Sequence, residues 1–355
     1  MTLPLLKTPL GVRTVDLTSN TARVAAFVAA HPDATPFHRP EWTAATARAC
    51  RQRPHYLVAE RADGGVAGVL PLTEMRSAIF GSALVSAGFG TGGGILAADP
   101  DAVAALAASA WALAGELNIG SVELRGGPVP DADWSVQQGA HVGFVRALAA
   151  DDAGELAALG KSRRSAVRRA VKRGFDIRVG TDAAAAADHY RVYAESVRNL
   201  GTPVFPRALF TEVLHGFAGA ADILTLRLDG ELMASAFSLY RHGTVFPYWT
   251  GTTEAGRKGL ASDAMYFALM AHARARGCTR FDFGRSKVGT GSAAYKEMWG
   301  FAPSSLRYAV RTRPGEAPRA VNPLSSQYRL KIAAWQRLPL WAANLIGPQL
   351  SRGLG

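Results

Sequence analysis

The segment TEAGRKGLASDAMYFAL, residues 253–269, places a glycine-rich turn directly before a helix-forming run. The turn has the spacing Gly-x-x-Gly-x-Ala with two cations inside it: Gly256, Arg257, Lys258, Gly259 and Ala261. Free backbone N–H groups and the positive end of a helix dipole attract anions, and glycine lets a phosphate approach the backbone closely. The segment therefore predicts a cradle for a phosphate-bearing ligand.

The residues around this turn predict a mixed α/β domain in the second half of the chain. The expected order is β-α-α-β-β-β-α-β-α-β, preceded by a helix over residues 155–173. Its last strand is LRYAVRT, residues 306–312. The first half repeats the order and closes on HVGFVRALA, residues 141–149. Two tandem copies of one α/β unit explain this repetition, and we expect domains at 1–150 and 151–316.

Charge separates the two halves of the chain, which has 355 residues and a net charge of +12. Residues 1–150 hold 11 Lys+Arg against 12 Asp+Glu, a net charge of −1; residues 151–355 hold the remaining 29 against 16, a net charge of +13. A polyanion, a phosphate-bearing ligand or an anionic membrane surface therefore concerns the second half. A solvated basic face is the plain alternative.

Residues 317–355 have the composition of a basic amphipathic tail. They contain no acid, five Lys or Arg, two Trp and many Leu. This composition predicts attachment to an anionic membrane surface, and a helix docked on the protein body is the alternative. Cys50 and Cys278 support neither a disulfide framework nor a metal site, and no signal peptide or membrane-spanning run is predicted. The expected location is the cytoplasm, at the surface of the inner membrane.

A second dense motif is FDFGRSKVGTGSAAYKEMWGF, residues 281–301. Its Asp-Phe-Gly tripeptide is typical of protein kinases. The sequence lacks the other kinase motifs, namely the His-Arg-Asp catalytic loop, the strand with Val-Ala-x-Lys and the glycine-rich nucleotide loop. The kinase hypothesis is therefore excluded. Residues 88–94, GFGTGGG, resemble a dinucleotide fingerprint, but no helix begins on the third glycine, so we interpret them as a flexible loop.

The segment KSRRSAVRRAVKR, residues 161–173, holds seven cations and no acid. On a helix Arg164, Arg168 and Lys172 recur every four residues and share one face, while the apolar stripe comprises Ala166, Val167, Ala170 and Val171. Like charges at this spacing repel one another unless an anion lies across them. The pattern predicts binding of an anionic substrate, with a solvated helix face as the alternative.

With these motifs in place, the chain resembles the GNAT acyltransferase fold, and its tandem arrangement resembles the Fem-type aminoacyltransferases and their relatives associated with exosortase and exopolysaccharide systems. In that group a basic helix resembling KSRRSAVRRAVKRGF opens the second unit, and a DFG strand end followed by a helix resembling YKEMWGF closes it. Two departures are visible. The long helical arm of some Fem enzymes is missing, and Gly256 stands where acyl-CoA turns usually begin with Arg or Gln.

The resemblance implies acyl transfer to an amine, with no tightly bound cofactor and no metal. Acyl-CoA or an aminoacyl-tRNA would be the donor co-substrate. Backbone N–H groups along residues 247–251 could face the reacting carbonyl, since this strand splays from the next one in the GNAT fold. The implied catalytic set is Asp282, Lys296, Glu297 and Tyr248, with Lys296 matching the Fem-type lysine and either acid as the base. The glycine turn would hold the donor, and the substrate would contact Arg164, Arg168, Trp249, Arg285, Ser286, Tyr295 and Trp299.

Three functions follow as hypotheses. The first is an N-acyltransferase that moves an acyl group from an acyl thioester to an amine of a lipid or envelope glycan at the membrane surface, as in ceramide-like lipid synthesis. The second is a Fem-type aminoacyl-tRNA-dependent transferase acting on a lipid-linked cell-envelope or exopolysaccharide precursor. The third is a non-catalytic assembly protein that binds membrane or polysaccharide, against which the glycine turn and Lys296 argue.

Overall fold

Two mixed β-sheets organise the chain in the computed structural model, which describes residues 10–19, 21–77, 81–316 and 326–353. The strands are β1 (Leu10–Val15), β2 (Arg53–Arg61), β3 (Val66–Ser77), β4 (Gly81–Ser86), β5 (Leu96–Ala97), β6 (Ser121–Arg125), β7 (Ser135–Gln137), β8 (His141–Ala147), β9 (Asp176–Gly180), β10 (Ala221–Leu228), β11 (Glu231–Arg241), β12 (Thr244–Thr252), β13 (Arg280–Lys287), β14 (Pro303–Ser305) and β15 (Tyr308–Thr312). The helices are α1 (Ala22–Ala30), α2 (Pro40–Cys50), α3 (Pro100–Glu116), α4 (Asp152–Ala158), α5 (Lys161–Val171), α6 (Ala183–Asn199), α7 (Arg207–Gly216), α8 (Glu254–Lys258), α9 (Ala261–Ala275), α10 (Gly291–Glu297), α11 (Ser326–Gln336) and α12 (Leu340–Ser351). Within the described ranges, no helix has the length and apolarity needed to span a bilayer.

The first sheet has the order β1-β2-β3-β4-β6-β15-β7, with β5 paired to β3. Side chains alternate between its two faces. On one face Leu57 and Leu70 pack with Leu106 of α3, and on the other Val58 packs with Val24 of α1. This unit therefore buries both faces of its sheet.

The glycine-rich segment 88–94 is packed rather than flexible, which corrects the sequence interpretation. The indole of Trp42 donates to the carbonyl of Gly88 over 3.1 Å, and the Arg125 guanidinium donates to Gly90 over 3.1 Å. A β-carbon on Gly94 would lie 1.9 Å from the carbonyl oxygen of Gly126. Close backbone packing therefore requires glycine at position 94, a constraint that composition alone does not reveal.

The second sheet has the order β14-β8-β13-β12-β11-β10-β9. The expected order β-α-α-β-β-β-α-β-α-β is present from β9 through α6, α7, β10 to β12, α9, β13 and α10, with the short helix α8 added before α9. The last strand of this unit is β14, not the strand expected over residues 306–312. The helix expected over residues 155–173 is two helices, α4 and α5, because the backbone is extended at Leu159 and Gly160.

Two strands belong to different sheets from those expected. Strand β8, expected to close the first unit, pairs with β13 and β14, whereas β15, expected to close the second, pairs with β6 and β7. Contacts accordingly group the described residues up to 137 with 307–316 and 353, and residues 138–306 with 326–352. This division differs from the boundary expected at residue 150. Side-chain alternation shows that a strand forms but does not encode its partner.

The helices of the second unit are divided between the two faces of its sheet. Ala234 and Ala236 of β11 lie in the core cluster that contains α9, and α5 adds Val167 to the same cluster. The alternate residue Ser235 accepts or donates a 2.9 Å hydrogen bond with His189 of α6, on the opposite face. Helices α11 and α12 pack on α6. Helices α5 and α9 therefore cover one face, and α6 carries α12 on the other.

Candidate active site

Strands β12 and β13 separate to form an opening in the second sheet. They pair in parallel only at Thr244↔Arg280 and Val245↔Phe281, and no further backbone pair joins them within the described residues. A bulge at Tyr248 bends β12 as the two strands diverge. The opening therefore has residues 246–252 on one side and residues 282–287 on the other, as expected for the splayed strands.

Helix α9 crosses beneath this opening and contacts both sides of it. The hydroxyl of Ser262 in its first turn lies 2.8 Å from that of Thr252, and the hydroxyl of Tyr266 lies 3.0 Å from that of Thr250. The Tyr266 ring also packs against Phe283 of β13, with centroids 4.6 Å apart. The positive N-terminal end of α9 is thus held at the rim of the opening.

The glycine turn precedes α9 as the sequence predicts. Gly256 lies in the short helix α8, Gly259 ends it, Leu260 adopts a left-handed conformation with φ of +62°, and α9 begins at Ala261. A β-carbon on Gly256 would lie 2.1 Å from the carbonyl oxygen of Met233. Packing against β11 therefore leaves no space for the Arg or Gln that acyl-CoA turns usually carry at this position.

The two cations of the turn differ in their surroundings. The Lys258 ammonium is exposed and lies 2.8 Å from the carboxylate of Glu254, one helical turn earlier. Arg257 is exposed and has no ion-pair partner among the residues that the structure describes. Arg257 is the cation of the turn that remains available to an anion.

Asp282 lies at the start of a bulge in β13. Its carboxylate accepts a 2.8 Å hydrogen bond from the N–H of Gly284, whose φ is +68°, and the register against β8 shifts between residues 282 and 285. Burial raises the pKa of Asp282 to about 6, although the hydrogen bond from Gly284 and the charge of Lys296 oppose this shift. A carboxyl group with this pKa can accept a proton at neutral pH.

Lys296 of α10 is a basic residue on the same side of the opening. Its ammonium donates to the carbonyl oxygen of Arg285 over 3.0 Å and lies 5.3 Å from the ring centroid of Phe144 and 5.6 Å from that of Phe283. Burial lowers the pKa of Lys296 to about 8, and the Asp282 carboxylate partly offsets this effect. Glu297, the other candidate base, is exposed on α10.

The two aromatic residues predicted on β12 have different positions. Trp249 is 4% exposed and packs edge-on against Phe210 and Phe237, within a cluster on the α6 face. Tyr248 is half-buried at the bulge and contacts the Trp249 ring, with centroids 4.9 Å apart. Trp249 is therefore a buried packing residue of β12, and Tyr248 lies at the bulge where β12 separates from β13.

The remaining residues predicted on the closing motif tie α10 to its neighbours. The Tyr295 hydroxyl donates to Asp263 of α9 over 2.8 Å, and the Ser286 hydroxyl lies 2.7 Å from that of Ser292. Trp299 is 1% exposed and packs against Tyr266. Arg285 contributes its carbonyl oxygen to Lys296. These contacts hold α10 and the residues after it in place beside the opening.

The two arginines predicted to bind substrate on the basic helix have separate environments. Arg164 donates to the carbonyl oxygens of Ala157 and Leu159 over 3.1 and 2.8 Å, so it caps the end of α4. Arg168 is exposed and lines an open groove along α5. The structure therefore assigns Arg164 a helix-capping contact and leaves Arg168 accessible.

Comparison with known proteins identifies this unit. Residues 161–297 match the family model described as an acetyltransferase (GNAT) domain. This segment of the chain is therefore similar to a GNAT acetyltransferase domain. The matched segment contains the basic helix, the glycine turn, both splayed strands and Lys296. No curated protein matches the sequence.

Solved structures show the same fold over most of the chain. FemX is 14% identical with a TM-score of 0.62, covering 84% of this chain and 96% of that one. The tandem GNAT protein from the clavulanic acid biosynthesis pathway is 13% identical with a TM-score of 0.53, covering 87% and 100%. A third structure is the C-terminal domain (DUF2156) of a protein from Agrobacterium fabrum described as a lysylphosphatidylglycerol synthetase. It is 13% identical with a TM-score of 0.56, and the match covers 84% of this chain and 93% of that one. The chain therefore consists of two tandem GNAT-like domains.

Sequence reasoning missed two residues that organise the GNAT domain. Asp263 of α9 receives the Tyr295 hydroxyl and also forms a 2.6 Å ion pair with Arg163 of α5, whose guanidinium lies 4.8 Å from the Tyr295 ring centroid. This network joins α5, α9 and α10. The helical spacing could have indicated that Arg163 has a different role, since it lies off the face shared by Arg164 and Arg168. Nothing in the sequence indicates Asp263 as its partner.

Proposed function

We propose that the protein is an N-acyltransferase that moves an acyl group from an acyl thioester to an amine of a lipid or envelope glycan at a membrane surface. The observation that carries this proposal is that Asp282 and Lys296, both half-buried, lie beside the opening between β12 and β13. Acyl transfer to an amine needs a proton acceptor and a stabilised oxyanion at one place. The pair supplies one group of each kind.

The reaction proceeds by addition and elimination. Asp282 takes a proton from the attacking ammonium, and the resulting amine forms a C–N bond with the thioester carbonyl. The oxyanion that develops is stabilised by the Lys296 ammonium and by N–H groups on the separated part of β12. The C–S bond then breaks, the nitrogen of the intermediate gives up its second proton to the departing thiolate, and the amide and the thiol leave. The opposed pKa shifts of Asp282 and Lys296 suit these roles near neutral pH.

The donor is held at the other rim of the opening by its phosphates. The first turn of α9 presents N–H groups at the positive end of a helix of 15 residues, and Arg257 adds an exposed charge. A pantetheine arm leading from this turn would run along β12 towards Tyr248. Arg257 lies only four residues before Ala261, the first residue of α9, so its charge is close to the start of that helix.

The exposed surface of helix α12 supports a lipid acceptor. Helix α12 packs on α6, and its Gly347 lies so close to Val204 that a β-carbon would be 2.9 Å from the Val204 side chain. The tail is therefore docked on the body, yet Trp341 and Leu345 on α12 remain 72% and 70% exposed. These two side chains, four residues apart, share one face and suit the interface of a membrane.

The first experiment tests the donor. We expect CoA and long-chain acyl-CoA to raise the thermal midpoint of the full chain, and acyl-CoA with a long-chain amino alcohol to yield amide and free thiol. Absence of a shift with CoA, together with activity that ribonuclease abolishes, would replace this proposal by aminoacyl-tRNA-dependent transfer. The cation-rich surface of α5 is the observation that favours that second function.

The second experiment tests the membrane surface. The variant Trp341→Ser/Leu345→Ser should lose most binding to vesicles of phosphatidylglycerol and phosphatidylcholine, because it removes the exposed apolar face of α12. The matched control is Val136→Ser/Val288→Ser, which changes two exposed apolar side chains elsewhere (40% and 48% exposed). Equal vesicle binding by both variants would show that α12 is only a docked helix.

A further inference from the structure

Helix α5 and the two residues after it carry a row of cations for which the described part of the chain offers no ion-pair partner. Within the described residues, no ion pair reaches any of five members of this row: Lys161, Arg168, Arg169, Lys172 and Arg173. Arg163, by contrast, is paired with Asp263. A groove along the helix is lined by Lys161, Arg164, Ser165, Arg168, Arg169 and Lys172, none of them acidic. Unpaired like charges along one helix repel, and an anionic partner would relieve that repulsion.

Apolar side chains border this cation row. Val171 in the last turn of α5 is 52% exposed, and Ile177 and Val179 on the edge strand β9 are 46% and 45% exposed. Ile177 and Val179 pair with Leu226 and Leu224, which belong to the α9 core cluster, so all four point to the same face of the sheet. The basic row and the apolar border therefore lie on one side of the domain.

This combination fits a protein partner better than a nucleic acid. A phosphodiester backbone would satisfy the cations but would gain nothing from exposed valine and isoleucine side chains. An acidic amphipathic helix uses both, since its carboxylates face the cations and its apolar residues cover the border.

The far end of the row reaches the donor turn. Arg173 Nη2 lies 3.8 Å from the position that a β-carbon on Gly259 would take. A partner seated on α5 would therefore be adjacent to the turn that precedes α9. We infer that the α5 cation row and its apolar border dock a small acidic carrier protein that presents the acyl group as a thioester on its phosphopantetheine arm. This inference rests on the proposed acyl transfer, of which it specifies the donor.

The test measures binding apart from turnover. Palmitoyl-loaded acyl carrier protein with a fluorescent label is titrated with the full chain, and its anisotropy is followed at low and high salt. The variant Arg169→Glu/Lys172→Glu should raise the Kd about ten- to hundredfold. The matched control Arg207→Glu/Arg337→Glu makes the same charge change on exposed cations of α7 and of the segment after α11, and should leave the Kd unchanged. A second variant, Val171→Ser/Ile177→Ser, should weaken binding even at high salt.

Three results would overturn the inference: no binding of the carrier protein by the wild-type chain, equal loss in both charge variants, or tighter binding of a tRNA-sized RNA than of the carrier through Arg169 and Lys172. Retention of the CoA-induced thermal shift by Arg169→Glu/Lys172→Glu would show that this variant folds. Amide formation from neither donor, with carrier binding intact, would remove the proposed reaction and leave the docking surface supported.

Discussion

Replacing Lys296 by methionine separates catalysis from folding. Burial lowers the pKa of this ammonium from 10.5 to about 8, and a shift of this size corresponds to about 3 kcal/mol of unfavourable charge burial. The hydrogen bond from the ammonium to the Arg285 carbonyl, 3.0 Å long, offsets this by about 1.5–3 kcal/mol, as expected for a charged donor. The two effects nearly cancel, so we expect Lys296→Met to change the thermal midpoint by only a few degrees.

Turnover should respond far more strongly. If Lys296 stabilises the oxyanion, its removal lowers kcat by about 10²–10³-fold. The charge of Lys296 also holds down the pKa of Asp282, so the acidic limb of the pH–rate profile should move upward from about 6 in the variant. The assay follows thiol release from palmitoyl-CoA in the presence of a long-chain amino alcohol, with Lys331→Met on α11 as the matched control.

The stability of the same variant has its own dependence on pH. The native protein binds the Lys296 proton less tightly than the unfolded chain does, so wild-type stability should rise as the pH increases from about 8 to 10.5. Lys296→Met should lack this contribution. A kcat within fivefold of the wild type would refute the oxyanion role, and loss of the folded state, with Lys331→Met unaffected, would make Lys296 a structural residue.

Three further predictions test the surrounding site. The pH profile of kcat/KM should be bell-shaped with limbs near 6 and 8; Asp282→Asn should remove the lower limb and Glu297→Gln should keep it, whereas the reverse result would move the base to α10. Gly256→Ala should destabilise the fold by about 1–3 kcal/mol because its β-carbon meets a strand carbonyl at 2.1 Å, while Gly259→Ala, with 3.3 Å to its nearest neighbour, should be tolerated in a denaturant titration. Arg164→Ala should cost about 1–2 kcal/mol by freeing two carbonyls at the end of α4, and an unchanged midpoint would remove its capping role.

The sequence predicted the order of elements in the second unit because that order depends on local periodicity. Residues 183–200 alternate polar and apolar positions at a helical spacing, and α6 forms there. Sheet membership depends instead on distant backbone partners. Strands β8 and β15 have ordinary alternating patterns, and their exchange between the two sheets is visible only in three dimensions.

The site was predictable to the level of its segments but not of its contacts. The glycine turn and the splayed strands lie where the spacing and the resemblance placed them. The capping role of Arg164 could not be predicted, because it depends on the break between α4 and α5. Nor could the burial of Trp249, which depends on Phe210 of α7 and Phe237 of β11 meeting it from different parts of the chain.

The two faces of the second sheet provide a reason for keeping donor and acceptor apart. The α5 cation row and the start of α9 lie on one face, whereas α6 carries α12 with its exposed Trp341 on the other. Strands β12 and β13 separate between these two surfaces, and α9 spans the gap on the side of α5. Under the two proposals, an anionic donor would approach from the basic side while α12 contacts lipid, and neither partner would have to leave before the other binds. Both the membrane assay on α12 and the carrier assay on α5 bear on this arrangement, because it requires that each surface be impaired without loss of the other.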